Sequence, residues 1–154
     1  DVYKRQHLFE YKTHMMQNYG AGVQACYRGP RLYDTPETQA AVTEVIQWYK
    51  KYRDILNSDM IHLRRPDARD WDGFIHVNPH KKEKGLAMFF NPTHQEITRT
   101  IHIPLYYTGL TQTARIREKE QKPVTYKLNR DYTVELTVKI PANGYTWYVV
   151  EAAD

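Results

Sequence analysis

The spacing of apolar positions changes period near residue 58. Upstream, Val42, Val45, Tyr49, Tyr52 and Leu56 recur at alternating intervals of three and four, and Ala41, Ile46, Trp48 and Ile55 widen the stripe. That spacing puts one broad apolar band along one side of a helix, which needs a surface to bury it. The helix start is marked by Asp34 or Thr35, whose side-chain oxygens accept from the free amides of a first turn, by Pro36, which has no N–H to satisfy there, and by Glu37 at the positive end of the dipole. Lys50, Lys51 and Arg53 sit toward its negative end. A second helix is predicted from His7 to Tyr19, where Leu8, Phe9, Tyr11, Met15 and Met16 follow the period loosely. Gly20 is expected to end it in the left-handed conformation. Between the helices, Ala21 to Tyr27 (AGVQACY) reads as a strand buried on both faces, and Arg28 to Asp34 as a turn-rich loop. Helix, buried strand, loop and long helix form the unit of an α/β fold.

Beyond Ser58 the apolar runs are short and fall about ten residues apart, separated by turn residues, as in antiparallel sandwiches and barrels. The predicted strands are Met60 to Arg64, Gly73 to Val77, Leu86 to Phe90, Glu96 to Ile103, Ala114 to Lys119, Val124 to Leu128, Tyr132 to Ile140 and Tyr145 to Glu151. In Tyr132 to Ile140, apolar residues alternate with Thr133, Glu135, Thr137 and Lys139, so one side faces a core and the other water. Asn143 and Gly144 supply the positive φ angles of a tight hairpin joining this strand to the last. Asn78-Pro79 and Asn91-Pro92 mark turns.

Composition narrows the classes. With 154 residues, 41% of them hydrophobic, the chain can build one ordinary core, or one small domain with a piece of another. The net charge of +4 comes from interleaved signs: Arg64 and Arg65 are followed by Asp67 and Asp70, and Arg115 to Lys122 includes Glu118 and Glu120. A nucleic-acid partner would need a segregated basic patch, so none is expected. No run of 18 apolar residues suggests a membrane span. Cys26 is the only cysteine, which excludes an internal disulfide and a thiolate metal cluster. The opening VYKRQ resembles a spurious leader of translated environmental reads, so Asp1 to Gln6 is read as a translation artefact and the chain is expected to continue upstream of His7.

Candidate chemistry is sparse. Asp67, Asp70 and Asp72 lie close together, but in a turn-rich loop where pairing with Arg64, Arg65 or Arg69 is the simpler role. The fragment Asp70, Asp72, Gly73 falls short of a calcium loop. None of the seven histidines makes the HExxH spacing, and Pro79 separates His76 from His80, so no metal site and no cofactor is expected. Of the 13 tyrosines, those on the helix stripe and in strands read as core. Tyr27, Arg28, Arg31 and Tyr33 are the candidate substrate contacts, because they follow a buried strand and precede a helix, where α/β barrels build their sites. A structural role for them stands beside that one.

The order of these parts resembles the C-terminal third of an α-galactosidase-like glycoside hydrolase. The residues carrying the likeness run from Trp48 to Pro79 (WYKKYRDILNSDMIHLRRPDARDWDGFIHVNP). Tyr49, Lys50 and Arg53 match the Tyr-Lys-x-x-Arg-like segment of the final barrel helix, and Leu63 to Pro66 match the Leu-x-x-Pro turn that leads into the sandwich. Lys84 to Pro92 (KGLAMFFNP) resembles the strand that follows. The resemblance implies an α+β fragment: the last strand and helix or helices of a (β/α)8 barrel over residues 7–58, then an antiparallel β-sandwich over 59–154. It also implies that the nucleophile and acid/base are aspartates on earlier barrel strands, upstream of His7, so no catalytic residue is assigned here. The complete enzyme would hydrolyse an α-glycosidic bond with retention, through a covalent glycosyl-enzyme intermediate. Its partners would be a carbohydrate substrate and the upstream barrel of the same polypeptide. A non-catalytic carbohydrate-binding or adhesion module is the alternative, and it would need exposed aromatics on the sandwich. A mechanical expectation follows: without upstream neighbours, Leu8 to Tyr52 should expose a large apolar surface.

Overall fold

The computed structural model describes residues 2–22 and 36–153, with side chains from Leu8 onward. The predicted caps Asp34 and Thr35, the loop from Arg28, and the buried strand beyond Gly22 lie outside the described residues. Helix α1 (Val2–Gly20) and helix α2 (Pro36–Leu56) precede β1 (Asp59–Arg64), β2 (Asp72–Val77), β3 (Gly85–Phe90), β4 (Ile97–Pro104), a 3-10 turn (Tyr106–Thr108), β5 (Thr113–Glu118), β6 (Val124–Lys127), β7 (Thr133–Ile140) and β8 (Tyr145–Glu151). Each strand predicted beyond Ser58 is present, with its ends within one residue of expectation. Helix α1 begins earlier than His7, since Val2 to Gln6 carries no glycine or proline to stop it.

The strands form two antiparallel sheets. One has six strands in the order β1-β2-β3-β8-β5-β6, and the other pairs β4 with β7. The six-stranded sheet is apolar on both faces, because β2, β3 and β8 are buried almost throughout. Strand parity sorts their side chains. Ile75, Ala87, Phe89, Tyr148 and Val150 face the two-stranded sheet, where they meet Ile101, Ile103, Val134, Leu136, Val138 and Ile140. Phe74, Leu86, Met88, Phe90, Trp147 and Val149 face the helices and meet Met15, Met16, Val42, Val45, Tyr52, Ile55 and Leu56. The described residues therefore stack as helices, large sheet and small sheet, with a core in each gap.

Three expectations are corrected. The apolar stripes of Leu8 to Tyr52 are covered: Met15, Val45 and Tyr52 are at most 1% exposed, and Phe9 is the exposed large apolar side chain among the described residues of that stretch. The chain's own sheet supplies the surface that upstream neighbours were expected to supply. Second, Asn143 and Gly144 do not close a hairpin, because β7 pairs with β4 while β8 lies between β3 and β5. Asn143 does take φ +51°, but Gly144 shows no positive φ, and the turn carries the chain from one sheet to the other. The reason is burial: alternating β7 needs one covered face, whereas β8 needs two. Third, Gly20 is the last helical residue, and Gly22 takes the left-handed conformation at φ +77°. Gly20 matters for closeness: a Cβ there would lie 2.2 Å from Sδ of buried Met88.

If both faces of β3 are core, truncations on either side should cost alike. Leu86→Ala, facing the helices, and Phe89→Ala, facing the small sheet, are each expected to lose about 2–5 kcal/mol in denaturant unfolding. A loss under about 1 kcal/mol for Leu86→Ala would mean that the helix layer is only loosely applied.

Candidate functional site

Tyr27, Arg28, Arg31 and Tyr33 lie outside the described residues, as does Cys26. Among the described residues, no group of three or more His, Cys, Asp or Glu could hold a metal ion. No described helix is long and apolar enough to cross a membrane.

The aspartates between β1 and β2 are held by arginines. Arg64 forks onto Asp67 with contacts of 2.7 and 3.2 Å and also donates to the Trp71 carbonyl. Asp67 further accepts from the amides of Arg69 and Asp70. The Arg64 hydrogen bonds hold its carboxyl well below the usual range. Asp70 accepts from the Trp71 amide at 2.7 Å and pairs with Arg99 at 3.1 Å, and both lower its pKa, the amide most. Asp72 differs: half-buried at the start of β2, it is pushed up to about 6, chiefly by desolvation. Arg64 acts against that rise and Asp67 adds to it. These groups brace the β1–β2 loop.

A groove of about 250 Å³ opens where the helices meet β5 and β8, lined among others by Lys12, Glu44, Trp48, Lys119, Glu120 and Trp147. Trp48 and Trp147 line it, and Tyr52 packs against both, with centroids 5.2 to 6.1 Å apart. The periodicity of α2 places Tyr52 in the core, and its ring is buried, but its hydroxyl reaches the end of β5 and the turn after it. There it donates to Glu120 and accepts from Arg117 at 3.1 Å. Lys51 donates to the same Glu120 oxygen at 2.9 Å. Burial works to raise Glu120, but hydrogen bonds from Tyr52 and Lys51 outweigh it, and the net shift is downward. Tyr52 is raised by burial and by Glu120. Across the groove, Lys12 and Glu44 join α1 to α2 at 2.7 Å. Tyr145 is pushed up to about 12 by burial and by the Glu44 charge. Each carboxylate here is matched to a cation, so the groove is a staple between helices and sheet rather than an acid/base pair.

The other feature is a ledge of tyrosines at the sandwich end formed by the β4–β5 and β6–β7 loops. Tyr106 and Tyr107 are 61% and 62% exposed, while their neighbours Leu105 and Thr108 are fully buried. Tyr106 meets Tyr107 at 5.1 Å and Tyr132 at 5.4 Å, each nearly edge to face. Tyr132, predicted as the first residue of a strand, instead precedes β7 in the left-handed conformation, φ +64°. It also lines an open cavity of about 400 Å³ with Gln112, Lys127, Asn129 and Arg130. The sequence carried a signal for the ledge: in PLYYTGL, two adjacent tyrosines between Pro104 and Gly109 have no strand to hide in.

No family model matches the sequence, and no curated protein matches it. Solved structures do. A GH27 β-L-arabinopyranosidase from Geobacillus stearothermophilus, as the D197A variant with arabinose, matches 96% of this chain and 31% of its own at TM-score 0.64 and 10% identity. α-Galactosidase I from Mortierella vinacea matches 95% of this chain and 36% of its own at TM-score 0.62 and 14% identity. An α-amylase from Geobacillus thermoleovorans, complexed with acarbose, matches 96% and 34% at TM-score 0.59 and 13% identity. The likeness is one of fold, and for the GH27-type glycoside hydrolases it lies over their C-terminal portion. The chain spans about a third of the length of the structures it matches.

Two pH-dependent outcomes follow. Asp72 has a folded pKa of about 6 against 3.8 unfolded, so its ionisation opposes folding increasingly as pH rises through that window. Asp72→Asn should raise Tm at pH 7.5 and do so less at pH 4, measured by calorimetry. Glu120 has the opposite sign: its folded pKa is lowered, so its stabilisation is present above the usual carboxylate range and lost as pH falls through the folded value. Glu120→Gln should therefore lower Tm at pH 7, and the difference should shrink on acidification.

Proposed function

We propose that this chain is the C-terminal part of a retaining, α-galactosidase-like glycoside hydrolase. In this reading residues 7–58 close the catalytic barrel and residues 59–154 form the accessory sandwich. The observation that carries it is the fold match with GH27-type enzymes over nearly the whole chain and about a third of theirs. The segment from Trp48 to Pro79 adds support, since Tyr49, Lys50, Arg53 and the Leu63 to Pro66 turn fall at the junction of α2 with β1 and β2. The covered helix stripes do not argue for an upstream barrel, so the proposal stands on the fold match and on that junction.

Hydrolysis with retention needs two carboxyl groups about 5–5.5 Å apart, one as nucleophile and one as acid and then base. Asp67, Asp70 and Glu120 each spend their charge on an arginine or lysine. The resemblance to α-galactosidase-like hydrolases is what assigns the reacting aspartates to barrel strands upstream of His7, and the position of Tyr27, Arg28, Arg31 and Tyr33 ahead of α2 is what makes them the proposed substrate contacts. The carbohydrate substrate is reached through the complete enzyme.

The test is the longer polypeptide. Its coding sequence upstream of His7 should encode alternating strands and helices, with aspartates at strand ends. The full enzyme should release galactose from p-nitrophenyl α-galactoside, the α-anomer appearing first by NMR, while the present chain alone releases none. A first-formed β-anomer, or turnover by the present chain, would overturn the assignment.

A further inference from the structure

We infer that the tyrosine ledge at the β4–β5 and β6–β7 loops is a non-catalytic binding site for a soluble, bent or branched chain of pyranose sugars. The choice of a sugar rests on the proposed carbohydrate-active function; the site itself rests on four observations. The first is exposure. Two adjacent aromatic side chains, each more than 60% exposed, are held between two fully buried residues. The second is rigidity. Leu105 donates its amide to the Tyr132 carbonyl at 2.9 Å, Thr108 donates its hydroxyl to the Leu105 carbonyl, and Gly109 turns the chain at φ +80°. The rings are thus displayed on a fixed turn, which lowers the entropy lost on binding. The third is backbone strain: Tyr132 sits at φ +64°, a conformation a bulky side chain rarely adopts, and its ring lies against Tyr106. The fourth is the cavity beside Tyr132, where Gln112, Asn129, Arg130 and Lys127 offer hydrogen-bonding groups. Pyranose rings need both kinds of surface, since they carry an apolar C–H face and a rim of hydroxyls.

The ring orientations narrow the ligand further. Tyr106 stands at 88° to Tyr107 and at 76° to Tyr132. Coplanar rings would suit a flat, extended polysaccharide such as cellulose. Mutually perpendicular faces suit successive sugars whose planes turn, as at a branch point.

Affinity electrophoresis of the chain in gels containing soluble galactomannan tests this, with pull-down on microcrystalline cellulose as the control. Galactomannan should retard the protein and cellulose should leave it in solution. Tyr106→Ala and Tyr107→Ala should each weaken binding about tenfold, a loss of ~1.4 kcal/mol by one stacking contact, with Tm unchanged. Val124→Ala, which alters a 54% exposed apolar residue at the far end of β6, should bind as the parent does. Absence of retardation in the parent, or retardation indifferent to both tyrosine variants, would overturn the inference. Neither result bears on the hydrolase reading, which is decided by the upstream sequence and its activity.

Discussion

Two strands with no polar face hold this molecule together. In β3 (GLAMFF) every residue is buried, and in β8 (YTWYVVE) only the last is not. Paired with each other at the centre of the six-stranded sheet, they present apolar side chains in both directions. A sheet of that kind is unstable in water unless something covers each face. Here β4 and β7 cover one face and α1 and α2 the other, and each cover is itself one-sided. Four of the residues of β7 point inward in alternation, while Thr133, Glu135, Thr137 and Lys139 point to solvent or toward it. The helices likewise turn Met15, Val45, Tyr52 and Leu56 inward. The three layers follow from which elements are apolar once and which are apolar twice.

Apolar contact alone does not fix how the layers sit on each other, and buried polar residues at the corners do that work. Asn91, 2% exposed, donates to the carbonyls of Gln95, Ile140 and Pro141 and accepts from both the amide and the hydroxyl of Thr93. One side chain thereby ties the β3–β4 loop to the β7–β8 turn, two of the four connections at which the chain changes sheet. His76, also 2% exposed, plays the corresponding part between sheet and helices, with its ring nitrogens against the carbonyls of Gly20 and Ser58. Both helix C-termini are thus anchored to β2. Buried polar atoms left unpaired would each cost about 1–3 kcal/mol, so these hubs penalise every other docking of the layers.

Local physics is legible in this sequence, and long-range pairing is less so. Strand positions were legible because turns at Asn78-Pro79 and Asn91-Pro92 and the alternation of β7 are short-range signals. Partners were less so. Asn143-Gly144 between two strands looks like a hairpin, and only the double-sided burial of β8 reveals that it must leave β7 for the central sheet. The same clue applies to the helices. GLAMFF and YTWYVV lack alternation, and that lack calls for a cover that the helix stripes provide, whereas each stripe taken alone calls for a neighbour elsewhere. Tyr52 shows the limit for sites. Its ring is core, as its period says, but its contact with Glu120 spans 68 residues and no spacing predicts it.

Ion pairs and exposed aromatic rings occupy different parts of the described structure. Four carboxylates are committed to joining elements, Asp67 with Arg64, Asp70 with Arg99, Glu120 with Lys51 and Arg117, and Glu44 with Lys12, while Asp72 stands apart, half-buried and raised by desolvation. A carboxylate held charged by an adjacent cation is poorly suited to donate a proton near neutral pH. Tyr106 and Tyr107 are the reverse case: they face water on a turn that Leu105 and Thr108 anchor from below. Serine or asparagine would serve such a turn as well and would expose less apolar surface. What the fold leaves facing water at that turn is therefore a pair of aromatic rings on a fixed support.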